Sequence, residues 1–163
     1  MTGVVLVAGF IRPVLKAMGE FQADGSVIVV DEPDVARKRD LAGAIADLPS
    51  IRELVEWEYQ LPGAADTFFH RHRDLDVVAV VPVQEYAVPF AARLAERYGV
   101  PGATSGAAAI LRDKHLLRVV TAAAGIANPV SEPVDDPDQV RDFARRHPGP
   151  LILKPANRQA AVG

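Results

Sequence analysis

The chain has 163 residues, 49% hydrophobic and 24% charged, with a net charge of −3; this balance describes a globular chain able to bury a real core, excludes a disordered polyelectrolyte, and gives no reason to expect nucleic acid as a partner. It contains no cysteine, which removes disulfides, thiolate metal sites and cysteine nucleophiles and is compatible with a reducing compartment. No basic segment precedes the apolar run that starts at Val4, and that run is too short to span a bilayer, so a cytoplasmic protein with neither leader nor membrane anchor is expected.

In chain order, Gly3 to Ala8 is a continuous, β-branched run ended by Gly9, the pattern of a strand buried on both faces of a parallel sheet. A helix follows from Pro13, with Val14, Leu15, Met18 and Phe21 at helical spacing, and Asp24-Gly25 closes it. Ser26 to Val30 is a second buried strand, stopped by Asp31-Glu32-Pro33-Asp34. Residues 35–48 are charged and weakly helical. Ile51 to Gln60 reads two ways: Leu54 and Val55 suit a helix, whereas Val55, Trp57 and Tyr59 alternate with Glu56 and Glu58 as in a strand. The strand, beginning near Leu54, is favoured.

Ala64 to Arg73 is a helix with Ala65, Phe68 and Phe69 inward. Asp76 to Val81 is the third buried strand and has the strongest pattern in the chain. Its end, Pro82 to Tyr86, opens a helix that places Ala87, Phe90, Ala91, Leu94 and Ala95 on one face and stops at Gly99. Strands alternating with helices argue for an α/β fold with a Rossmann-like open parallel sheet. Ligands of such sheets sit beyond the carboxyl ends of the strands, so Gly9-Phe10, Asp31-Glu32 and Gln84-Glu85 are expected along one rim.

The small residues 103–109 mark a hinge, where Thr104 or Ser105 caps a short helix. Beyond it, Asp113 to Ala124 is helical, with Leu116, Leu117, Val120 and Ala124 inward and Lys114 and Arg118 one turn apart on another face. Pro129 to Val134 is extended. Asp136-Pro137 starts a helix whose inner stripe is Val140, Phe143 and Ala144, broken by Pro148-Gly149-Pro150. Leu151-Ile152-Leu153 is a strand that delivers Lys154 to its edge, followed by a loop of small and polar residues.

Two lysines on separate elements, 114 near the start of a helix and 154 at the end of a strand, suit a polyphosphate, whose charge needs several fixed donors. Each also has a plainer reading. Lys114 fits a solvated helix face, and Lys154 can snorkel to water. The residues Arg112-Asp113-Lys114, Ala123-Ala124-Gly125-Ile126-Ala127-Asn128-Pro129 and Leu153-Lys154-Pro155-Ala156-Asn157 resemble the ATP-grasp superfamily, which includes carboxylate-amine ligases and biotin carboxylase-like enzymes.

The resemblance implies a pre-ATP-grasp Rossmann-like domain over 1–103 and, over 104–163, the N-terminal portion of an incomplete α+β ATP-grasp subdomain. It implies that Lys114 and Lys154 bind ATP and that the loop carrying Asn157, Arg158, Gln159 and Gly163 covers the phosphates. The Mg²⁺ ligands are expected beyond residue 163. Only Gly163 in that loop is glycine, a departure from many relatives, so Arg158 is expected to supply charge where open amides otherwise would. Glu85, with Tyr86, resembles a Glu-Tyr pair whose rim faces substrate in these ligases; a helix-start carboxylate offsetting the dipole is an equal alternative. Asp31 and Glu32 read as a solvated turn.

The implied activity is ATP-dependent amide formation between a carboxylate and an amine, of the amino-acid or peptide type, through an acyl phosphate. This stretch alone is expected to be inactive, and a homodimer through the first domain is among the assemblies the resemblance allows. The alternative is a free-standing Rossmann-like module for small-molecule binding or dimerisation, in which the residues after Ala103 complete a compact domain. His70 and His72, two apart on a helix, point different ways and do not share a metal. The turn after the first strand lacks G-x-G-x-x-G, which argues against a dinucleotide site, and no Walker A, G-x-S-x-G or H-E-x-x-H pattern occurs.

Overall fold

A computed structural model describes residues 3–157. Its contacts divide the chain into two compact units, one as far as Ala108 and one from Ala109. The first unit is a parallel sheet with helices on both faces. Strand β1 (Val4–Ala8) leads to helix α1 (Arg12–Met18), and β2 (Val27–Asp31) to α2 (Pro33–Lys38) and α3 (Leu41–Ile45). Strand β3 (Ile51–Glu56) precedes α4 (Ala64–Arg71), and β4 (Val77–Pro82) passes through a 3₁₀ turn, Glu85–Ala87, into α5 (Val88–Tyr98).

All four strands run parallel in the order β3-β2-β1-β4. The two central strands are buried at every position, which is why their sequence is continuously apolar rather than alternating. Leu6, Ile28 and Val30 point into a core with Phe68, Phe90 and Leu94. Val5, Val7, Val27 and Val29 point the other way, against Leu15 and Met18 of α1 and Ile45 of α3. The two-way reading of residues 51–60 resolves as a strand only over Ile51–Glu56: it starts three residues earlier than expected and ends before Trp57 and Tyr59, whose alternation belongs to the connection beyond it.

Two expectations in this unit are corrected. Asp76 to Val81 is not buried on both faces: β4 is an edge strand, Val78 is 50% exposed, and the register with β1 slips between Val4 and Val5, so Val78 is the extra residue of a bulge. A strong apolar run cannot by itself reveal whether a strand has one neighbour or two. Phe21 is 72% exposed, because α1 ends at Met18 and Phe21 falls in the turn beyond.

The boundary between the units falls within α6 (Ser105–Arg112). The second unit continues with α7 (Lys114–Ala123) and α8 (Pro137–Arg146). Asp136 caps α8 as the sequence indicates, accepting from Asp138 N at 2.8 Å and Gln139 N at 2.9 Å. Arg146 grips Glu132 with both terminal nitrogens, at 2.6 and 2.7 Å, fastening the end of α8 to the segment before it. Val140, Phe143 and Ala144 are the half-buried stripe of α8.

Burial in α7 differs from expectation, since Leu116 and Val120 remain 39% and 40% exposed and Ala124 is exposed. Nor is Leu151-Ile152-Leu153 a strand. It belongs to no strand or helix, with Ile152 81% and Leu153 73% exposed, and none of the described residues forms a ladder with it. Extended backbone becomes a strand only when a neighbour takes up its N–H and C=O groups. No helix among the described residues is long and apolar enough to cross a membrane.

Candidate functional site

In the first unit the carboxyl ends of β1, β2 and β4 lie on one rim, because the strands are parallel. The chain leaves β1 for β2 on one side, while β4 lies on the other. That reversal opens the crevice where sheets of this type hold ligands. Here it is partly filled by Gln84. Gly9 turns the chain at φ +89°, its N–H donates to Val30 O at 2.8 Å, and a Cβ there would run into Gln84 Cγ. The Gln84 amide donates to Phe10 O at 3.0 Å, tying the β4 exit to the β1 turn. Glu85 is half-buried at the start of the 3₁₀ turn on this rim.

Asp31 departs from the solvated turn expected of it. It is 2% exposed. Its carboxylate accepts from Glu32 N at 2.8 Å, and Trp57 N donates to the Asp31 backbone O at 2.8 Å. Glu32 in turn accepts from Gln60 N at 3.0 Å. Burial pushes both carboxyls above their usual range, against the opposing pull of these donors. It also pushes the Tyr59 phenol upward, helped by the neighbouring Asp31 and Glu32. The Glu32 carboxylate and the Asp31 backbone carbonyl thus clip the β3–α4 connection to the end of β2, a structural role at a position that alone suggested ligand contact.

The cationic motif lies in the second unit. Asp113 is the N-cap of α7, accepting from His115 N at 2.8 Å and Leu116 N at 3.0 Å, and these bonds hold its carboxyl below the usual range. The cap places Lys114 at the first helical position. There its backbone N–H donates to Ala156 O at 3.0 Å, with the Nζ 3.4 Å from the same oxygen. Arg112 donates to Asn157 O at 2.8 Å. Lys114 and Arg112 are therefore brought onto the backbone of Ala156 and Asn157, two and three residues beyond Lys154, which is exposed.

The first turn of α7 carries no acidic side chain. A cation at the positive end of a helix dipole is locally unfavourable, by roughly 0.3–1 kcal/mol at an exposed site, and an anion bound there reverses the sign. In the structure the donors of Arg112 and Lys114 that are placed here meet the backbone carbonyls of Asn157 and Ala156. Among the described residues no group of three His, Asp or Glu side chains is placed to hold a metal. Glu85 belongs to the other unit, and Arg158, Gln159 and Gly163 lie outside the described residues.

Sequence reasoning missed two local devices. Asp113 as a cap was legible, since an Asp directly before an apolar-periodic segment is a start signal. Gln84 packing over Gly9 was not, because its partner is 75 residues away in sequence.

No protein-family model and no curated protein matches the sequence. Among solved structures, the crystal structure of an L-amino acid ligase from Bacillus licheniformis superposes with a TM-score of 0.62 at 17% identity, over 89% of this chain and 42% of that one. The fold is shared with part of that ligase. The chain spans less than half of the ligase's length, and the likeness at this identity is one of fold.

Proposed function

We infer that the chain is the N-terminal portion of an ATP-dependent carboxylate-amine ligase. The observation that carries the reading is the joint at the start of α7, where Arg112 and Lys114 both donate to the backbone just after Lys154. Two cationic segments forty residues apart thus meet in one unit, as a shared polyphosphate ligand requires. The fold likeness to an L-amino acid ligase supports the same reading.

In this reading Lys114 and Lys154 neutralise ATP phosphate oxygens as charge moves from the γ- to the β-phosphate, an electrostatic rather than a proton-transfer role. Asn157, Arg158, Gln159 and Gly163 belong to the covering loop, and Glu85 faces the carboxylate or amine substrate. A substrate carboxylate oxygen takes the γ-phosphoryl group, releasing ADP and leaving an acyl phosphate. The amine then attacks the carbonyl carbon, the C–N bond forms as the C–O bond to phosphate breaks, and the amine gives up a proton. Mg²⁺ would screen the phosphates, with its ligands outside the described residues.

The alternative, a free-standing binding module, required the residues after Ala103 to complete a compact domain. Instead a second unit starts at Ala109, and Leu111, Val119, Ile152 and Leu153 are all more than half exposed.

The test is ATP-dependent ADP release with mixed amino acids supplied, by this 163-residue chain and by any longer form of its gene product. The longer form should turn over, its Lys154→Ala variant should not, and the short chain should be silent. Turnover by the short chain, or an unimpaired Lys154→Ala longer form, would overturn the reading.

A further inference from the structure

Beyond Glu56 the chain turns back on itself before it enters α4. Trp57 N donates to Asp31 O at 2.8 Å, Tyr59 N to Trp57 O at 2.8 Å, and Ala64 N to Leu61 O at 3.1 Å. Gly63 makes the final turn in the left-handed region, at φ +75°, and α4 starts at the next residue. This connection shapes a cleft of about 410 Å³, with Trp57, Leu61 and Pro62 as its apolar lining and Glu56, Glu58 and Arg71 as its charged one. That volume falls within the range of small-ligand sites. Every lining residue belongs to the first unit.

Trp57 is a fixed wall. Its indole N–H is taken up by Ala64 O at 3.2 Å, and its ring lies edge-on to Phe68 at 5.3 Å. The Arg71 guanidinium carbon stands over the indole, 5.0 Å from its centre. A guanidinium resting on a ring is held in place while its N–H donors stay in its own plane, open to a carboxylate. The charged residues differ in how they are partnered. Glu56 has Arg37 at 3.8 Å. Among the described residues the side chains of Glu58 and Arg71 have neither an ion pair nor a hydrogen bond, although both line the one cleft. Other arginines of this unit are paired, Arg93 and Arg97 with Asp66 and Arg12 with Asp47. Leu61 is 55% exposed, so its apolar surface is open to a ligand as well.

We propose that this cleft binds a zwitterion: an α-amino acid, or a short peptide with both termini free, whose carboxylate meets Arg71, whose ammonium group meets Glu58, and whose apolar side chain lies against Trp57, Leu61 and Pro62. One cation, one anion and one apolar wall answer the three parts of such a ligand. A polyanion would be repelled by Glu56 and Glu58, and a wholly apolar ligand would desolvate Glu58 and Arg71 with nothing to replace the water. The site uses none of Glu85, Lys114 and Lys154, and the inference does not rest on the ligase reading.

Trp57 is the single tryptophan, so its emission reports on the cleft directly. The 163-residue chain is titrated with leucine, with leucyl-leucine, and with the capped forms N-acetyl-leucine and leucinamide. Leucine or leucyl-leucine should give a saturable change, and whichever binds better defines the span between the two charges. Each capped form should bind about tenfold more weakly. Glu58→Gln should weaken the zwitterion about tenfold and leave N-acetyl-leucine unaffected, whereas Arg71→Gln should weaken it equally and spare leucinamide. Both residues are exposed, so thermal unfolding should be unchanged in either variant. Amide shifts of residues 57–71 in the ¹⁵N-labelled chain give a second readout, independent of any change that Arg71→Gln makes to the emission itself. No saturable response to either zwitterion, or capped forms bound as tightly as free ones, would overturn the proposal. Such a result would leave the ligase reading standing, because that reading is tested at residues of the second unit.

Discussion

Ser50 is 3% exposed, and its hydroxyl has no hydrogen-bond partner among the described residues. An unpaired buried hydroxyl bears its desolvation cost with nothing returned. Ser50→Ala should therefore raise the unfolding free energy by about 1 kcal/mol, measured by urea titration; a loss of that size would reveal a bond to Ser50 that the geometry does not contain. Asp31 makes a second residue-level prediction. Burial, acting against the donor from Glu32 N, raises its native pKa above the unfolded value. Such a group contributes stability that is fully present below the ordinary carboxylate range and is lost as pH rises through the raised native value. The stability difference between the parent and Asp31→Asn should thus shrink as pH rises across the window just above that range, followed by the fluorescence of Trp57, the single tryptophan. The carboxyls of Asp66, Glu96 and Asp113, held low by their partners, are present in both proteins and drop out of the comparison. A pH-independent difference would contradict the assignment.

At the scale of elements, Phe68 is the largest fully buried side chain among the described residues, edge-on to Trp57 at 5.3 Å and to Phe90 at 5.7 Å, and so joins the β3–α4 connection, α4 and α5. Phe68→Ala should cost about 3–5 kcal/mol, whereas Phe69→Ala, only half-buried, should cost clearly less; equal losses in thermal unfolding would mean that the core is not centred on Phe68. Gly9 combines a left-handed backbone with Gln84 directly above it. Gly9→Ala should destabilise by roughly 1–3 kcal/mol, and Gln84→Ala should relieve part of that loss in the double variant. Additive costs in the double-mutant cycle would show that the two do not meet. The strands and most of the helices were legible because their apolar periods are local properties of the chain. What was not legible depended on distant neighbours. That Val78 sits at a bulged edge follows from β4 pairing, among the described residues, only with β1, and the β3–α4 connection bonds back to Asp31 and Glu32 from more than twenty residues away; neither leaves a mark in the local sequence.

For the whole molecule, the same division explains why the candidate site was only half readable. Lys114 and Lys154 could be chosen by residue type and by resemblance, but that Arg112 and Lys114 take hold of Ala156 and Asn157 is a tertiary fact. The apolar residues of the second unit mislead in the opposite direction: Leu116 and Val120 read as inward, yet these side chains are open to solvent. A period records which residues could share a face, not whether anything covers it. The account stands or falls on the joint at α7 being a phosphate site. Titration of the ¹⁵N-labelled chain with Mg·ATP, followed by amide chemical shifts, detects even millimolar affinity. Shifts should concentrate around residues 112–116 and 153–157, and Lys114→Ala and Lys154→Ala should each weaken binding about tenfold, or ~1.4 kcal/mol, without lowering thermal stability. Shifts confined to the sheet rim around Gly9 and Gln84, or affinities unchanged by both substitutions, would contradict it.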